Sequence, residues 1–234
     1  MADLIDYLEL GRKALLNNDV DEAITYFKKA LSGADESQQV EIYKSLGDLY
    51  GKSAQAKQAI IEYSKGLKVA AELQDINTQV KILQQMGILC QGMKNYQEAI
   101  KCNEKCLKKL EEIPDVPIQA EVTRSLGTLY SLTKDHFKAL STLQRALQLQ
   151  RELGSKRGEA MALYELALEQ ADTDSIKEAR ANLHAALEIC NELGMESDKK
   201  KILRELKAIE SELEEEDLID KTAAKHKKIQ KFLK

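Results

Sequence analysis

The residues best suited to chemistry are four cysteines and three histidines, so we ask first whether any of them forms a site. Cys102 and Cys106 would lie one turn apart on a helix, where two thiolates can ligate zinc. A structural zinc site needs four ligands, however, and the sequence has no second pair at a metal-binding spacing. The pattern therefore favours a packing role for both thiols and predicts no metal site.

The sequence also lacks the motifs of an enzyme active site. His136, His184 and His226 have no nucleophile or ligand partner at motif spacing, and the sequence contains neither a GxGxxG motif nor a P-loop. Acid–base and nucleophilic catalysis both need a partner group within hydrogen-bond reach. We interpret the three side chains as exposed or helix-face histidines, and we expect no enzyme, no cofactor and no small-molecule substrate.

Charge and hydropathy limit the function classes further. With 43% apolar and 32% charged residues, the chain has enough apolar material for a packed core. Its net charge of -4 argues on electrostatic grounds against a general nucleic-acid binder. No apolar run approaches the roughly 20 residues of a membrane span, and the start of the chain lacks the basic segment of a signal peptide. Since the cysteines also lack a disulfide framework, we expect a cytoplasmic protein, with the nucleus as the alternative.

An internal repeat dominates the sequence. Five segments align on a Leu-Gly-like pair and recur after 36, 40, 40 and 40 residues: Leu10-Gly11, Leu46-Gly47, Met86-Gly87, Leu126-Gly127 and Leu166-Ala167. An alanine follows twelve residues after each of them: Ala23, Ala59, Ala99, Ala139 and Ala179. Two helices approach closely only where the facing side chains are small, so each unit is predicted to be a helical hairpin.

The hairpins give explicit helix boundaries. The first helices are predicted at 3–17, 38–53, 77–92, 117–133 and 157–171, and the second helices at 20–32, 55–73, 95–113, 136–153 and 175–193. The polar turns between them, such as Asn17 to Asp19 and Asp172 to Ser175, are expected to cap the next helix. A single hairpin cannot bury its apolar stripe alone, so neighbouring hairpins must stack.

This pattern resembles the tetratricopeptide repeat, with Tyr7, Leu10, Gly11, Ala23 and Phe27 in the first unit as its best match. The 40-residue period is similar to the longer-helix branch found in Pins/LGN and kinesin light chain proteins, and the match is weaker at Cys90, Asn103 and Gln170. The resemblance implies an all-α, right-handed superhelical solenoid of about five hairpins over residues 1–195. It also implies that Tyr7, Phe27, Tyr43, Tyr50, Tyr63 and Tyr130 are packing residues.

The end of the chain divides into two further segments. Residues 196–220 are predicted to form a capping helix with the stripe Ile202, Leu206, Ile209 and Leu213, followed by an acidic cluster at 212–217. Residues 221–234 hold six lysines and no acid, which leaves about -10 on the rest of the chain. In a helix, Ile229, Phe232 and Leu233 would share one face, with Lys225 and Lys228 largely off it.

In this family the first helices line a concave groove, which implies a set of candidate ligand contacts. These are Arg12, Lys44, Lys52, Lys81, Gln84, Arg124 and Tyr164. One interpretation is a solvated, mixed-charge surface; the other is a site whose cations bind the carboxylates of an acidic or amphipathic peptide. The carboxylate clamp of chaperone-tail binders is incomplete, since Asp48 stands where it needs asparagine. The asparagine lining of Pins/LGN proteins is also absent, so neither ligand is transferred.

Two functions remain open at this stage. The first is a non-enzymatic scaffold or adaptor that binds a partner peptide in the groove. The alternative is an adaptor to nucleic acid or an anionic membrane through the basic tail, which could also support weak self-association because the rest of the chain is acidic.

Overall fold

The computed structural model describes residues 4–211 and 213–214, and within this part of the chain the regular structure is entirely helical. The first helices are α1 (Leu4–Leu16), α3 (Glu36–Lys52), α5 (Ile76–Gly92), α7 (Val116–Leu132) and α9 (Lys156–Asp172). The second helices are α2 (Val20–Ala30), α4 (Ala56–Glu72), α6 (Tyr96–Leu110), α8 (His136–Glu152) and α10 (Ile176–Glu192). A further helix, α11, covers 196–211 and 213–214. The ten predicted helices are confirmed, with boundaries that agree to within about three residues.

The chain divides into two compact units, of which unit 1 ends at Thr133 and unit 2 begins at Lys134. Unit 1 contains α1 to α7, and unit 2 contains α8 to α11. The basic tail at 221–234 and most of the acidic cluster at 212–217 lie outside the described residues.

Capping side chains fix where the helices begin. The carboxylates of Asp19, Asp75 and Asp115 each accept a hydrogen bond from the backbone N–H three residues later, as N-caps do. Asp35 forms a complete capping box with Gln38. The expected cap at Asp19 is confirmed, whereas the Ser175 side chain makes no cap hydrogen bond.

The small residues lie at helix crossings, as the repeat predicts. Ala59, Ala99, Ala139 and Ala179 have no exposed surface. At Gly47 a Cβ atom would lie 2.5 Å from the Tyr63 ring, so only glycine permits this approach of α3 and α4. The crossing requires the small side chain for steric reasons.

Most of the predicted packing aromatics are buried, but two are not. Phe27, Tyr50, Tyr63 and Tyr130 belong to the core. Tyr7 and Tyr43 are only half-buried, because each lies at the helix surface with a lysine ammonium over its ring: Lys29 over Tyr7 at 5.8 Å and Lys65 over Tyr43 at 5.7 Å.

Helix α11 covers the core of unit 2. Its residues Ile202, Leu206 and Ile209 are buried in one cluster with side chains of α9 and α10, and Leu213 packs against that cluster. Ile202 and Leu206 also continue the 40-residue register of Ala162 and Leu166 on α9. In sequence register and in burial, α11 therefore resembles the first helix of a repeat, and its prediction as a capping helix stays a prediction.

Candidate functional site

The candidate cations of unit 1 differ in exposure and in pairing. Arg12, Lys52 and Lys81 are exposed, whereas Lys44 and Arg124 are half-buried. The ammonium of Lys44 lies 2.9 Å from the carboxylate of Glu41 in the same helix. Exposed pairs of this kind contribute little to folding, so a ligand carboxylate can replace Glu41 at small cost.

Two groove positions are joined across neighbouring first helices. The Gln84 amide on α5 donates a 3.0 Å hydrogen bond to Glu121 Oε2 on α7. This contact places Gln84 beside the first helix of the next repeat, on the face that the first helices of unit 1 form. We call this surface, which carries Arg12, Lys44, Lys52, Lys81, Gln84 and Arg124, the first-helix face.

Lys44 and Lys81 both act on one carboxylate. Asp75, the N-cap of α5, has a pKa below its usual range, chiefly because its side chain accepts a hydrogen bond from the Thr78 backbone N–H, with smaller contributions from Lys81 and Lys44. Two candidate cations from successive first helices therefore both stabilise the ionised form of the Asp75 carboxyl group.

A cleft between α3 and α5 interrupts the first-helix face. It is lined by Asp48, Gly51, Lys52, Tyr63, Gln85, Ile88 and Leu89, and we call it the α3/α5 cleft. The Tyr63 hydroxyl donates a 2.5 Å hydrogen bond to Asp48 Oδ1, and burial together with this carboxylate raises the Tyr63 pKa far above its ordinary value. The bond fixes the Asp48 carboxylate in the cleft. Ile88 is 51% exposed there and offers an apolar contact.

The three weakest matches to the repeat pattern are compensated by local contacts. Asn103 donates to the Ser125 hydroxyl at 3.1 Å, and Gln170 accepts a 2.7 Å hydrogen bond from the Asn182 amide. Cys90 is buried in place of the larger tyrosine found at Tyr50 and Tyr130. These departures are therefore accommodated within the core rather than exposed as a site.

The cysteines considered for zinc are core residues. Cys102 and Cys106 are both buried, and burial raises their pKa values to about 12 and about 11. Thiols with such pKa values are poor metal ligands and poor nucleophiles near neutral pH. Across residues 4–211, 213 and 214, no group of three or more His, Cys, Asp or Glu residues is placed to hold a metal ion.

Tyr164 lies in unit 2, where it lines a small pocket. Ala160, Met161 and Glu165 of α9 form this pocket with Cys190, Met195, Asp198, Lys201 and Ile202, and we call it the Tyr164 pocket. Tyr164 is half-buried, and its pKa is raised mainly by burial and then by Glu205. The pocket therefore lies between α9 and α11.

The sequence interpretation missed one buried polar pair in unit 2. His136 Nδ1 donates a 2.6 Å hydrogen bond to Glu169 Oε1, and Glu169 is only 1% exposed. His136 is therefore anchored rather than a free surface histidine. The sequence does contain a signal for this pair in its repeat register, because Glu169 occupies the position that is Leu49, Leu89 and Leu129 in earlier repeats.

Comparison with known proteins identifies the repeats. A family model described as tetratricopeptide repeat matches residues 78–152. Residues 78–152 therefore match the tetratricopeptide repeat. No curated protein sequence matches the chain.

Solved structures share the tetratricopeptide fold at low sequence identity. BtubC (BKLC) from P. vanneervenii has a TM-score of 0.70 at 18% identity, and the match covers 82% of this chain and 81% of the BtubC chain. Apo RapI has a TM-score of 0.73 at 18% identity, covering 81% and 54%. A putative kinesin light chain from Podosopora anserina with nearly identical TPR-like repeats has a TM-score of 0.65 at 17% identity, covering 81% and 96%. At these identities the likeness shows the fold.

The structure contains no helix, within the range it describes, that is long and apolar enough to span a membrane. Tetratricopeptide repeats bind protein or peptide partners. Unit 1 has two clefts between first helices that are lined by both polar and apolar side chains. The second of these is lined by Leu8, Arg12, Leu15, Phe27, Ser37, Gln38, Glu41, Ile42 and Ser45.

Proposed function

We propose that this chain is a non-enzymatic scaffold that binds an acidic or amphipathic segment of a partner protein on the first-helix face of unit 1. The observation that carries the proposal is the α3/α5 cleft. It places a fixed acceptor at Asp48, a cation at Lys52, an amide at Gln85 and an apolar surface at Ile88 within one concavity. An extended or helical peptide needs this combination of donors, acceptors and apolar anchors.

The charges on either side of the cleft support the acidic character of the partner. Lys81 and Arg12 are exposed, and Lys44 pairs with the exposed carboxylate of Glu41. Carboxylates of the bound segment would make charge-assisted hydrogen bonds to these groups. For Tyr164, which lies in unit 2, contact with a ligand also stays a prediction.

The test compares three forms of the protein in affinity capture from a cell lysate. The Lys81→Glu, Arg124→Glu double variant reverses charge on the first-helix face, whereas Lys101→Glu, Lys108→Glu makes the same change on α6. Proteins retained by wild type and by the α6 control but lost from the first-helix variant are candidate partners. Calorimetry should then show binding weakened by about tenfold or more, which corresponds to about 1.4 kcal/mol.

Circular dichroism of all three proteins keeps unfolding separate from loss of binding. If the double variant retains the same proteins with the same affinity as wild type, the first-helix face is not the binding site.

A second candidate function rests on the composition of the tail, which lies outside the described residues. Six lysines without an acid, together with Ile229, Phe232 and Leu233, suit binding to nucleic acid or an anionic membrane, or to the acidic body of a second copy. Deletion of residues 221–234 should then abolish binding to anionic vesicles or oligonucleotides, and that binding should fall steeply with salt. Equal binding by the truncated protein would exclude this function.

The free, buried cysteines agree with a reducing compartment such as the cytoplasm or nucleus.

A further inference from the structure

Unit 2 exposes an aromatic ring that the repeat pattern does not require. Phe137, the second residue of α8, is 84% exposed. The same register position is Lys57, Gln97 and Lys177 in the other hairpins, all of them polar residues on the solvent side. An isolated exposed aliphatic residue is ordinary, but an aromatic ring in water at a position otherwise reserved for polar residues is a candidate contact residue.

The backbone that carries Phe137 is anchored by the buried pair described above. His136 is bonded to Glu169 on α9, while Glu169 Oε2 has no hydrogen-bond partner among the described residues. A buried carboxylate with one oxygen unsatisfied destabilises the fold, so the arrangement is costly for a purely structural contact. Its effect is to hold the first turn of α8 against α9. A ring presented on a fixed backbone loses less conformational entropy when it binds.

The Tyr164 pocket also arises from departures from the repeat. Met161 stands where the earlier repeats have Glu41, Lys81 and Glu121, and Tyr164 stands where they have Lys44, Gln84 and Arg124. Charged or amide side chains of the first-helix register are thus replaced by a thioether and an aromatic ring.

The size and lining of the Tyr164 pocket suit one phenyl ring. Its volume is about 130 Å³, and cavities of roughly 150 Å³ bind benzene in proteins. The sulfur-containing residues Met161, Met195 and Cys190 are among its lining, and sulfur makes favourable contacts with aromatic rings.

The ring and the pocket lie toward opposite ends of α9, so one chain cannot fill its own pocket. The pocket uses residues 160–165, whereas Glu169 near the other end holds the start of α8. The rise from Met161 to Glu169 is about 12 Å along the helix. A ring at one end and a matching pocket at the other are the two halves of a head-to-tail contact.

We propose that Phe137 of one copy inserts into the Tyr164 pocket of a second copy, so that the chain self-associates head to tail. The charges around both features permit this contact. Lys134 pairs with Asp172 and Lys138 with Asp135 beside Phe137, and Lys201 pairs with Asp198 at the pocket. Since each rim carries paired opposite charges, neither repels a second copy strongly.

The contact is a different interaction from the peptide binding proposed for unit 1, and the two proposals fail independently. The occupant of the Tyr164 pocket is a second copy of this chain. It also differs from association through the basic tail, because the contact uses only described residues of unit 2.

The experiment uses full-length protein and variants that restore residues present in other repeats, which favours correct folding. Phe137→Lys removes the ring, and Met161→Glu with Tyr164→Lys removes the pocket. Ile61→Lys, an exposed apolar position in unit 1, is the matched control. Analytical ultracentrifugation from micromolar to millimolar concentration measures the mass of each protein.

Wild type and the Ile61→Lys control should increase in mass with concentration beyond a dimer, while the ring and pocket variants should each stay monomeric. An equimolar mixture of these two variants keeps one intact ring and one intact pocket, so it should form a dimer that does not grow. A wild type that stays monomeric, a Phe137→Lys variant that assembles like wild type, or a mixture that forms no dimer would overturn the proposal. Far-UV circular dichroism confirms that each variant is folded.

Discussion

His136 Nδ1 on α8 lies 2.6 Å from Glu169 Oε1 on α9, and the second oxygen of that carboxylate has no hydrogen-bond partner within the described chain. The carboxylate replaces the leucine found at Leu49 and Leu129, which are buried in their own repeats. Because this polar pair lies at a position that is aliphatic in other repeats, substitutions here test how much the pair contributes to the free energy of unfolding.

Removing the histidine alone should destabilise the protein. In His136→Ala, Glu169 loses its one hydrogen-bonded partner, and we expect the free energy of unfolding to fall by about 2–3 kcal/mol. In Glu169→Leu the aliphatic position is restored, and we expect a gain of about 1–2 kcal/mol. Urea unfolding followed by circular dichroism measures both. A destabilised Glu169→Leu variant would contradict this account of the pair.

A second test concerns the turns that connect successive helices, within a hairpin at Lys94 and between hairpins at Gly154. Lys94 adopts φ 60, a left-handed conformation that favours glycine, and the next residue, Asn95, donates a 2.9 Å hydrogen bond to the Cys90 carbonyl. Lys94→Gly should raise the free energy of unfolding by about 0.5–1 kcal/mol. The matched control is Gly154→Ala, at φ 65, which should lower it by about 1 kcal/mol. Equal midpoints in urea for all three proteins would contradict the conformational argument.

The glycine at the α3 and α4 crossing can be compared with a glycine in open space. In Gly47→Ala the new methyl group would overlap the Tyr63 ring, and we expect a loss of about 1–3 kcal/mol. Gly92→Ala adds the same methyl group where no atom lies within 4 Å, and helix propensity predicts a gain of up to about 1 kcal/mol. Thermal unfolding of the two variants should therefore shift in opposite directions from wild type.

A carboxylate on α9 predicts a pH-dependent contribution to stability. The Arg151 guanidinium, 2.8 Å away, and then Lys156 lower the pKa of Glu159 below its ordinary value of 4.5. A depressed carboxyl pKa gives stability that is present above the ordinary value and is lost as pH falls through the folded value. Glu159→Gln should thus be less stable than wild type near neutral pH and approach it in strong acid. Urea midpoints measured across this range test the sign, and a difference that grows as pH falls would contradict it.

The sequence predicts the fold because the fold depends on local and periodic features. The 40-residue spacing of Ala59, Ala99 and Ala139 marks the crossings, and the polar turns mark the helix ends. These features act within one hairpin, so one sequence contains the information needed to recognise them. The burial of Ile202 and Leu206 follows from the same register.

The individual contacts between helices could not be predicted in the same way. His136 and Glu169 are 33 residues apart, and Asn103 and Ser125 are 22 apart, so each pairing depends on how one hairpin sits on the next. Periodicity gives the buried face of a helix but does not give the rotation that brings two polar side chains together. The exposure of Phe137 depends on the same packing, since its neighbour His136 is fixed by Glu169.

The sixth-repeat register of α11 bears on how long such an array can be. Ile202 and Leu206 of α11 occupy the register positions of Val122 and Leu126 on α7, so α11 presents aliphatic side chains of the kind that an earlier first helix presents. A 40-residue hairpin inserted after Gly194, where the chain turns at φ 66, would meet α10 on one side and α11 on the other through surfaces of the kind they already use. Duplication or loss of one hairpin at this junction would change the number of repeats while leaving the register of α11 unchanged.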